Sequence, residues 1–378
     1  MAGIYIHIPF CRKLCYYCDF HFTVSLKNKS SVLKAIGREL ELRKEEFSQS
    51  WFNTIYFGGG TPSILSINEI NCLIEKIYQH YKILANPEVS FEVNPDDLNQ
   101  KYLYQLKNNT MINRLSIGVQ SFNDAILKFM NRRHTAEEAY SCIKNARSIG
   151  FKNINIDLIY GIPGMGLDDW KKNLKTFTKL NIPHLSAYHL SIEPKTVFAH
   201  LQKKGMITPI TERESSQQFD YLMKVTFEKG YDHYEISNFA FPDHYSKHNI
   251  GYWTGEPYLG IGPSAHSFNG KLRRWNISNN TQYVELLEKG ENTYYQSEEI
   301  DQATSFHDYL ITALRTKWGI NLQKIEQQYG IEFVRHIEQS SMKFFNENLL
   351  INQNGNIFLS NKGKLIADYI IREMMIIN

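Results

Sequence analysis

The sequence predicts an α/β fold: a partial (β/α)6 TIM-like barrel followed by a smaller C-terminal helical, winged-helix-like domain. Three observations predict it. Six short β-rich runs alternate with longer helical patterns, the rhythm of parallel βαβ units. Polar residues recur where those runs end, and that is the face on which a parallel barrel gathers its ligands. Beyond the sixth unit the alternation stops and helices flank a single hairpin signal.

The strand candidates are residues 3–8, 54–57, 89–93, 114–119, 154–159 and 184–188. Between them lie helical stretches at 32–47, 68–81, 99–109, 135–149 and 167–180. A right-handed succession of such units curls into an incomplete barrel. A helical stretch at 212–229 then leads into YDHYEISNFAFPDHYSKHNIGYWTGEPYLGIGPSAHSF. That segment is aromatic and rich in Gly and Pro, and reads as loop or irregular strand. From about Thr304, the helical patterns SFHDYLITALRT, NLQKIEQQY and EFVRHIEQSSMKFFNE precede LLINQNGNIFLS, where Asn354-Gly355 marks a tight hairpin. A final helix is expected at 362–375. The chain is thereby divided into a core at 1–230, an aromatic-rich segment and linker at 231–300, and a C-terminal domain at 301–378.

A chain of 378 residues suits one large domain plus a smaller one. Net charge is +3, with basic and acidic residues interspersed, so neither a nucleic-acid face nor a polybasic membrane anchor is indicated. The C-terminal helices carry both charge signs and few arginines, which favours a packing, lid or partner-binding role over DNA reading. No apolar run approaches the roughly 20 residues that span a bilayer. The expectation is a soluble, cytoplasmic protein without a transmembrane segment. Peripheral membrane association stays open, and the sequence is silent on oligomeric state.

Chemistry concentrates at Cys11, Cys15 and Cys18, a CxxxCxxC triplet directly after the first apolar run. Three thiolates on a short loop can hold three irons of a [4Fe-4S] cube, whose ligands are normally four cysteines, and so leave one iron open. A Cys3His zinc site completed by His7 or His21 remains the alternative from spacing alone. An odd count of five cysteines without a signal peptide disfavours disulfides. Cys72 and Cys142 fall in amphipathic helical patterns and read as buried small hydrophobes.

Gly58-Gly59-Gly60-Thr61-Pro62 follows the second strand candidate. Successive glycines let a backbone approach a ligand closely and expose its N–H groups, although a tight turn needs them as well. The run lacks the lysine of a nucleotide phosphate loop. GIGPSA, from Gly260 to Ala265, matches a dinucleotide fingerprint by letters only, without the flanking strand and helix. Glu92, Gln120, Arg132 and Asp157 lie at or beyond strand ends and would converge over one face. Together they suit a ligand carrying amine, carboxylate and ribose groups.

YIHIPFC, CxxxCxxC, FGGGTP, SIGVQSF and NIDLIYGIPG, in this order, resemble the radical S-adenosylmethionine superfamily in the branch of the oxygen-independent coproporphyrinogen III oxidase. The likeness runs from about Gly3 to near Phe268. It implies that Cys11, Cys15 and Cys18 ligate a [4Fe-4S] cluster. It further implies that Tyr5, Gly59, Gly60, Thr61, Glu92, Gln120, Arg132 and Asp157 hold S-adenosylmethionine. An electron from the reduced cluster would cleave the sulfonium and release a 5′-deoxyadenosyl radical, the protein supplying orientation and exclusion of quenchers.

One departure redirects this inheritance. In the oxidase a fourth cysteine follows the third by two positions, where this sequence has Phe20. The chain also begins immediately before the first strand candidate. Both features are similar to the heme-chaperone subgroup of the branch, as is the HNxxYW motif at His248-Asn249-Ile250-Gly251-Tyr252-Trp253. Imidazole is a common heme ligand, and flanking aromatics can cover a porphyrin. The resemblance therefore implies heme as a further cofactor with His248 as its leading ligand, His7, His233, His244 and His266 remaining open. The implied activity is delivery of heme to acceptor proteins such as respiratory cytochromes. Oxidative decarboxylation of coproporphyrinogen III propionates is the enzymatic alternative, and a cluster protein without heme a third. No catalytic residue is assigned.

Overall fold

Hydrophobic alternation sets the architecture in the computed structural model, which describes residues 1–376. The six barrel strands are β1 (Ala2–Ile8), β2 (Trp51–Gly59), β3 (Lys82–Val93), β4 (Arg114–Gln120), β5 (Asn153–Tyr160) and β6 (His184–His189). All are parallel and paired in chain order. Every second residue is a buried aliphatic or aromatic that packs on the surrounding helices, as at Ile4 and Ile6, Ile55 and Phe57, Leu115 and Ile117. The intervening positions are polar and touch one another across the strands. Asn155 Nδ2 donates to Ser116 Oγ at 2.7 Å, and a His184 ring nitrogen lies 2.5 Å from Asn155 Oδ1. The apolar set thus faces the helices while the polar set lines the barrel interior.

The helices start where their caps predict. Ser66 with Glu69, Thr135 with Glu138 and Thr211 with Glu214 each form a reciprocal capping box before the helices Ile67–His80, Ala136–Ile149 and Glu212–Glu228. The first helix runs Lys29–Leu42, earlier than the expected 32–47. It ends because Arg43 turns inward, bonding the Gly260 carbonyl at 2.7 Å and pairing with buried Glu39 at 3.1 Å.

Residues 231–300 depart most from expectation. Where loop or irregular strand was expected they form β7 (Asp232–Glu235), β8 (Asn238–Ala240), β9 (Tyr258–Ile261), β10 (His266–Phe268), β11 (Leu272–Asn276) and β12 (Tyr295–Glu299), with helices Lys247–Thr254 and Asn280–Lys289. These strands extend both edges of one twelve-stranded sheet, ordered β12-β11-β10-β9-β1-β2-β3-β4-β5-β6-β8-β7. Short strands broken by Gly and Pro carry no periodicity of their own; β9 is held by parallel pairing with β1, more than 250 positions away in sequence. GIGPSA is a strand followed by a turn into another strand, so its likeness to a dinucleotide fingerprint is accidental.

A second apolar core, including Phe306, Leu310, Ile337, Phe344 and Ile370, organises the C-terminal helices Gln302–Leu314, Leu322–Tyr329 and Ile331–Asn346. They pack with a small antiparallel sheet of β13 (Ile320–Asn321), β14 (Leu350–Gln353) and β15 (Asn356–Leu359). Asn354 and Gly355 both take positive φ at the hairpin, 53° and 77°, as a two-residue turn requires. The expected helix at 362–375 is split into Asn361–Lys364 and Ala367–Glu373. Cys142 is buried, whereas Cys72 is exposed, because Ile70, Leu73, Ile74 and Ile77 form the buried face of its helix.

Candidate functional site

A cavity of about 380 Å³ opens at the C-terminal ends of the barrel strands. It gathers Cys11, Cys15 and Cys18 with Gly59, Gly60 and Thr61, and also with Glu92, Gln120, Arg132 and Asp157. Residues spread over some 150 positions meet there because parallel strands deliver their ends to one face.

The cysteine loop leaves β1 and is pinned from both sides. Thr61 Oγ1 donates to Cys11 Sγ at 3.2 Å, and Arg132 Nη1 approaches Cys15 Sγ at 3.4 Å. No group of three His, Cys, Asp or Glu among the described residues is arranged around a single metal ion. A cube does not ask for that, since each thiolate binds a different iron. Burial pushes the Cys11 thiol up to about 12 and the Cys18 thiol up to about 11.

The glycine run meets its steric requirement at each position. A Cβ on Gly60 would lie 2.6 Å from the Phe10 carbonyl oxygen, and one on Gly59, whose φ is +105°, 2.7 Å from the His7 ring. Tight packing of the cysteine loop over β2 therefore needs these residues, which also line the cavity. Gln120 reaches the cavity through a register shift between Gly118 and Gln120 in the β4–β5 pairing, with φ of 67° at Gln120. A strained non-glycine residue held at a cavity wall is characteristic of a binding site.

Electrostatics give the cavity a charge preference. Glu92 accepts from Tyr56 Oη at 2.8 Å, yet burial and then Asp157 raise its pKa to about 8. Asp157 is raised to about 6, mainly by burial. Neither carboxylate has an ion-pair partner within 4.0 Å among the described residues. Two buried carboxylates without cations favour a ligand that brings positive charge. Arg132 donates through Nη2 to Asn94 Oδ1 at 2.6 Å and to the Gly118 carbonyl at 2.7 Å, but its buried Nε has no partner. As a cavity-lining guanidinium, Arg132 is the cation that an entering acid would meet. Amine, sulfonium and carboxylate are the charged groups of S-adenosylmethionine, so this donor set fits that molecule.

Tyr5 stands apart from the other predicted residues. It does not line this cavity but lies beneath Glu92, against the backbone of Gly58, stacked on Tyr56 at 6.1 Å. Asn94, Tyr17 and Tyr188 line the cavity without having been singled out from sequence. Asn94 and Tyr188 follow or end predicted strands, a placement that could have marked them.

His248, the leading heme-ligand candidate from sequence, is buried at 3% exposure and reaches neither large cavity. One ring nitrogen lies 2.7 Å from Thr54 Oγ1 and the other 2.8 Å from Tyr252 Oη. Burial lowers its pKa to about 3, and Glu88 anchors its helix by accepting from the backbone of Lys247 and His248. As placed, His248 offers no lone pair to an incoming iron. Tyr252 and Trp253 of the same motif do line a cavity, a second one of about 760 Å³ between the sheet and the C-terminal helices.

Residues 5–177 match the family model of the Radical SAM superfamily, and residues 300–366 that of the HemN C-terminal domain. A protein of Lactococcus lactis described as heme chaperone HemW is 32% identical over 98% of this chain and 97% of its own length. The heme chaperone HemW of Bacillus subtilis is 32% identical over 97% of both chains. Among solved structures, the Escherichia coli coproporphyrinogen III oxidase HemN, described as a radical SAM enzyme, superposes with a TM-score of 0.85 at 25% identity, covering 99% of this chain and 90% of that one.

Proposed function

The chain belongs to the radical SAM superfamily and, within it, to the family of the HemW heme chaperones, and from that premise we propose that it binds heme in the cytoplasm and hands it to acceptor proteins such as respiratory cytochromes. The observation that carries the reading is the reach of the likeness. It spans nearly the whole chain at 32% identity to two heme chaperones, against 25% to the oxidase over the same extent.

In this reading Cys11, Cys15 and Cys18 hold the [4Fe-4S] cluster, and the surrounding wall holds S-adenosylmethionine. When bound, cluster and cofactor together supply one-electron chemistry. The chain's own residues bind and orient. Arg132 would pair with the cofactor carboxylate, Glu92 and Asp157 would attract its positive charge, and Gly59 to Thr61 and Gln120 would line the space it fills. Heme is the cargo.

The superposition on the oxidase favours one rival, radical decarboxylation of coproporphyrinogen III. Phe20, standing where that branch has its fourth cysteine, speaks against it. Anaerobically reconstituted full-length protein, supplied with reductant, S-adenosylmethionine and coproporphyrinogen III, is expected to form no protoporphyrinogen. A parallel sample titrated with heme is expected to develop a saturable visible absorption and to lose it to an acceptor. Turnover in the first sample, or no saturable binding in the second, would refute the reading.

A further inference from the structure

The second cavity has the size and walls for a flat, conjugated ligand, and its lining carries two cations, Arg273 and Lys324, beside two carboxylates, Glu256 and Asp308. Its volume of about 760 Å³ is twice that of the cluster cavity and lies within the roughly 300–1,000 Å³ of ordinary small-molecule sites. Tyr258 and Phe268 line it from the sheet, Tyr252 from the helix Lys247–Thr254, and Tyr309 and Tyr329 from the C-terminal helices. Opposed aromatic walls favour a planar ring system. Phe20 lines both cavities, so an occupant of one adjoins an occupant of the other.

Three histidines reach this space, and their commitments separate them. The ring nitrogens of His7 lie 3.2 Å from Tyr5 Oη and 2.9 Å from the His21 carbonyl, so both are taken. His21 is bound at Nε2 to Asn280 Oδ1 at 2.8 Å, which fixes its ring and leaves it Nδ1 alone, so that of the three only His266 keeps both ring nitrogens free among the described residues. The His266 side chain makes no hydrogen bond among the described residues; it is exposed on β10 with its ring stacked on Trp275 at 6.2 Å. Both of its ring nitrogens are therefore available at the cavity wall.

The cations differ in the same way. Arg273 is already paired with Glu298 at 3.0 Å and Asp308 at 2.5 Å. Lys324 has no ion-pair partner among the described residues, and its ammonium sits 4.7 Å from the Tyr309 ring centre at the cavity wall.

Resting on the heme-chaperone reading, we infer that this cavity is the heme site, with His266 donating a ring nitrogen to the iron and Lys324 pairing with a propionate. The C-terminal domain then forms one wall of the cargo site, and release of heme requires that wall to open or the edge of the ring to be exposed to an acceptor.

Ferric heme is titrated into full-length wild type, His266→Ala, His266→Gly and Lys324→Glu, with binding and iron ligation followed by visible absorption and electron paramagnetic resonance. Circular dichroism confirms that each variant is folded. Wild type is expected to show a histidine-ligated signature. His266→Ala should lose that signature and bind at least tenfold more weakly, and free imidazole should restore the signature to His266→Gly. Lys324→Glu should weaken heme several-fold while leaving heme dimethyl ester, which lacks the carboxylates, unaffected. Wild-type binding with the same signature and affinity in both His266 variants would overturn the inference yet leave the chaperone reading standing. No heme binding by wild type would overturn both.

Discussion

The two ends of the barrel are built from similar residue types and do different things. At the N-terminal end, buried polar side chains find one another. Both ring nitrogens of His184 are engaged, by Asn155 at 2.5 Å and Tyr234 at 2.7 Å, and both of His248 by Thr54 and Tyr252. The edge strand β8 joins in, Asn238 accepting from Ser186 at 2.6 Å. At the C-terminal end, Glu92 and Asp157 accept from Tyr56 and Asn155 but have no ion-pair partner among the described residues, and with Arg132 they line a cavity. A polar residue inside a barrel is thus no sign of function by itself. Its surroundings decide, because a polar group enclosed by partners stabilises the fold, while a charge without a counter-ion at a cavity wall can take one from a ligand.

The largest effect that tests this contrast is expected at the cysteines. Cys15→Ala should abolish iron and sulfide incorporation on anaerobic reconstitution, whereas Cys142→Ala, buried in a helix, should leave both intact. Next comes the glycine run. Gly60→Ala forces a methyl against the Phe10 carbonyl and should cost about 1–3 kcal/mol, as overpacking typically does. Thermal denaturation would register it as a lower Tm; an unchanged Tm would mean that the cysteine loop packs less tightly over β2 than described.

How much of this was legible beforehand follows from the same contrast. All six barrel strands are readable because their outward faces repeat Ile, Leu, Val and Phe with period two, a local signal. Glu92, Asp157 and Arg132 are findable because strand ends converge by topology. The partners of His248 are not: Thr54 precedes it by 194 positions, and nothing local announces that it fills the space above Gly3. Strands β9 to β12 were hidden for the same reason, being held by neighbours distant in sequence and not by their own pattern. His266, in the middle of that unreadable segment, becomes distinctive only through the hydrogen bonds it does not make.

A smaller effect lies in the pH dependence of the ligand-free protein. The Glu92 pKa rises from its usual 4.5 to about 8, so its contribution to stability is fully present below pH 4.5 and is lost as pH climbs through about 8. Glu92→Gln, which cannot ionise, should flatten the fall in Tm across that window. S-adenosylmethionine, bringing positive charge, should reduce the same fall in wild type. A slope unaltered by the substitution would show that Glu92 does not titrate in that window.

The finest distinction concerns two histidines. His248→Ala leaves Thr54 and Tyr252 without their buried partner and should cost about 1–3 kcal/mol, while His266→Ala, exposed and unbonded, should stay within about 0.5 kcal/mol. Ligation should follow the opposite order. The most direct measurement is therefore the visible and paramagnetic resonance spectrum of ferric heme bound to these two variants, recorded side by side at a temperature where both are folded. A histidine-ligated spectrum kept by His248→Ala and lost by His266→Ala is the predicted result; the reverse would contradict the account.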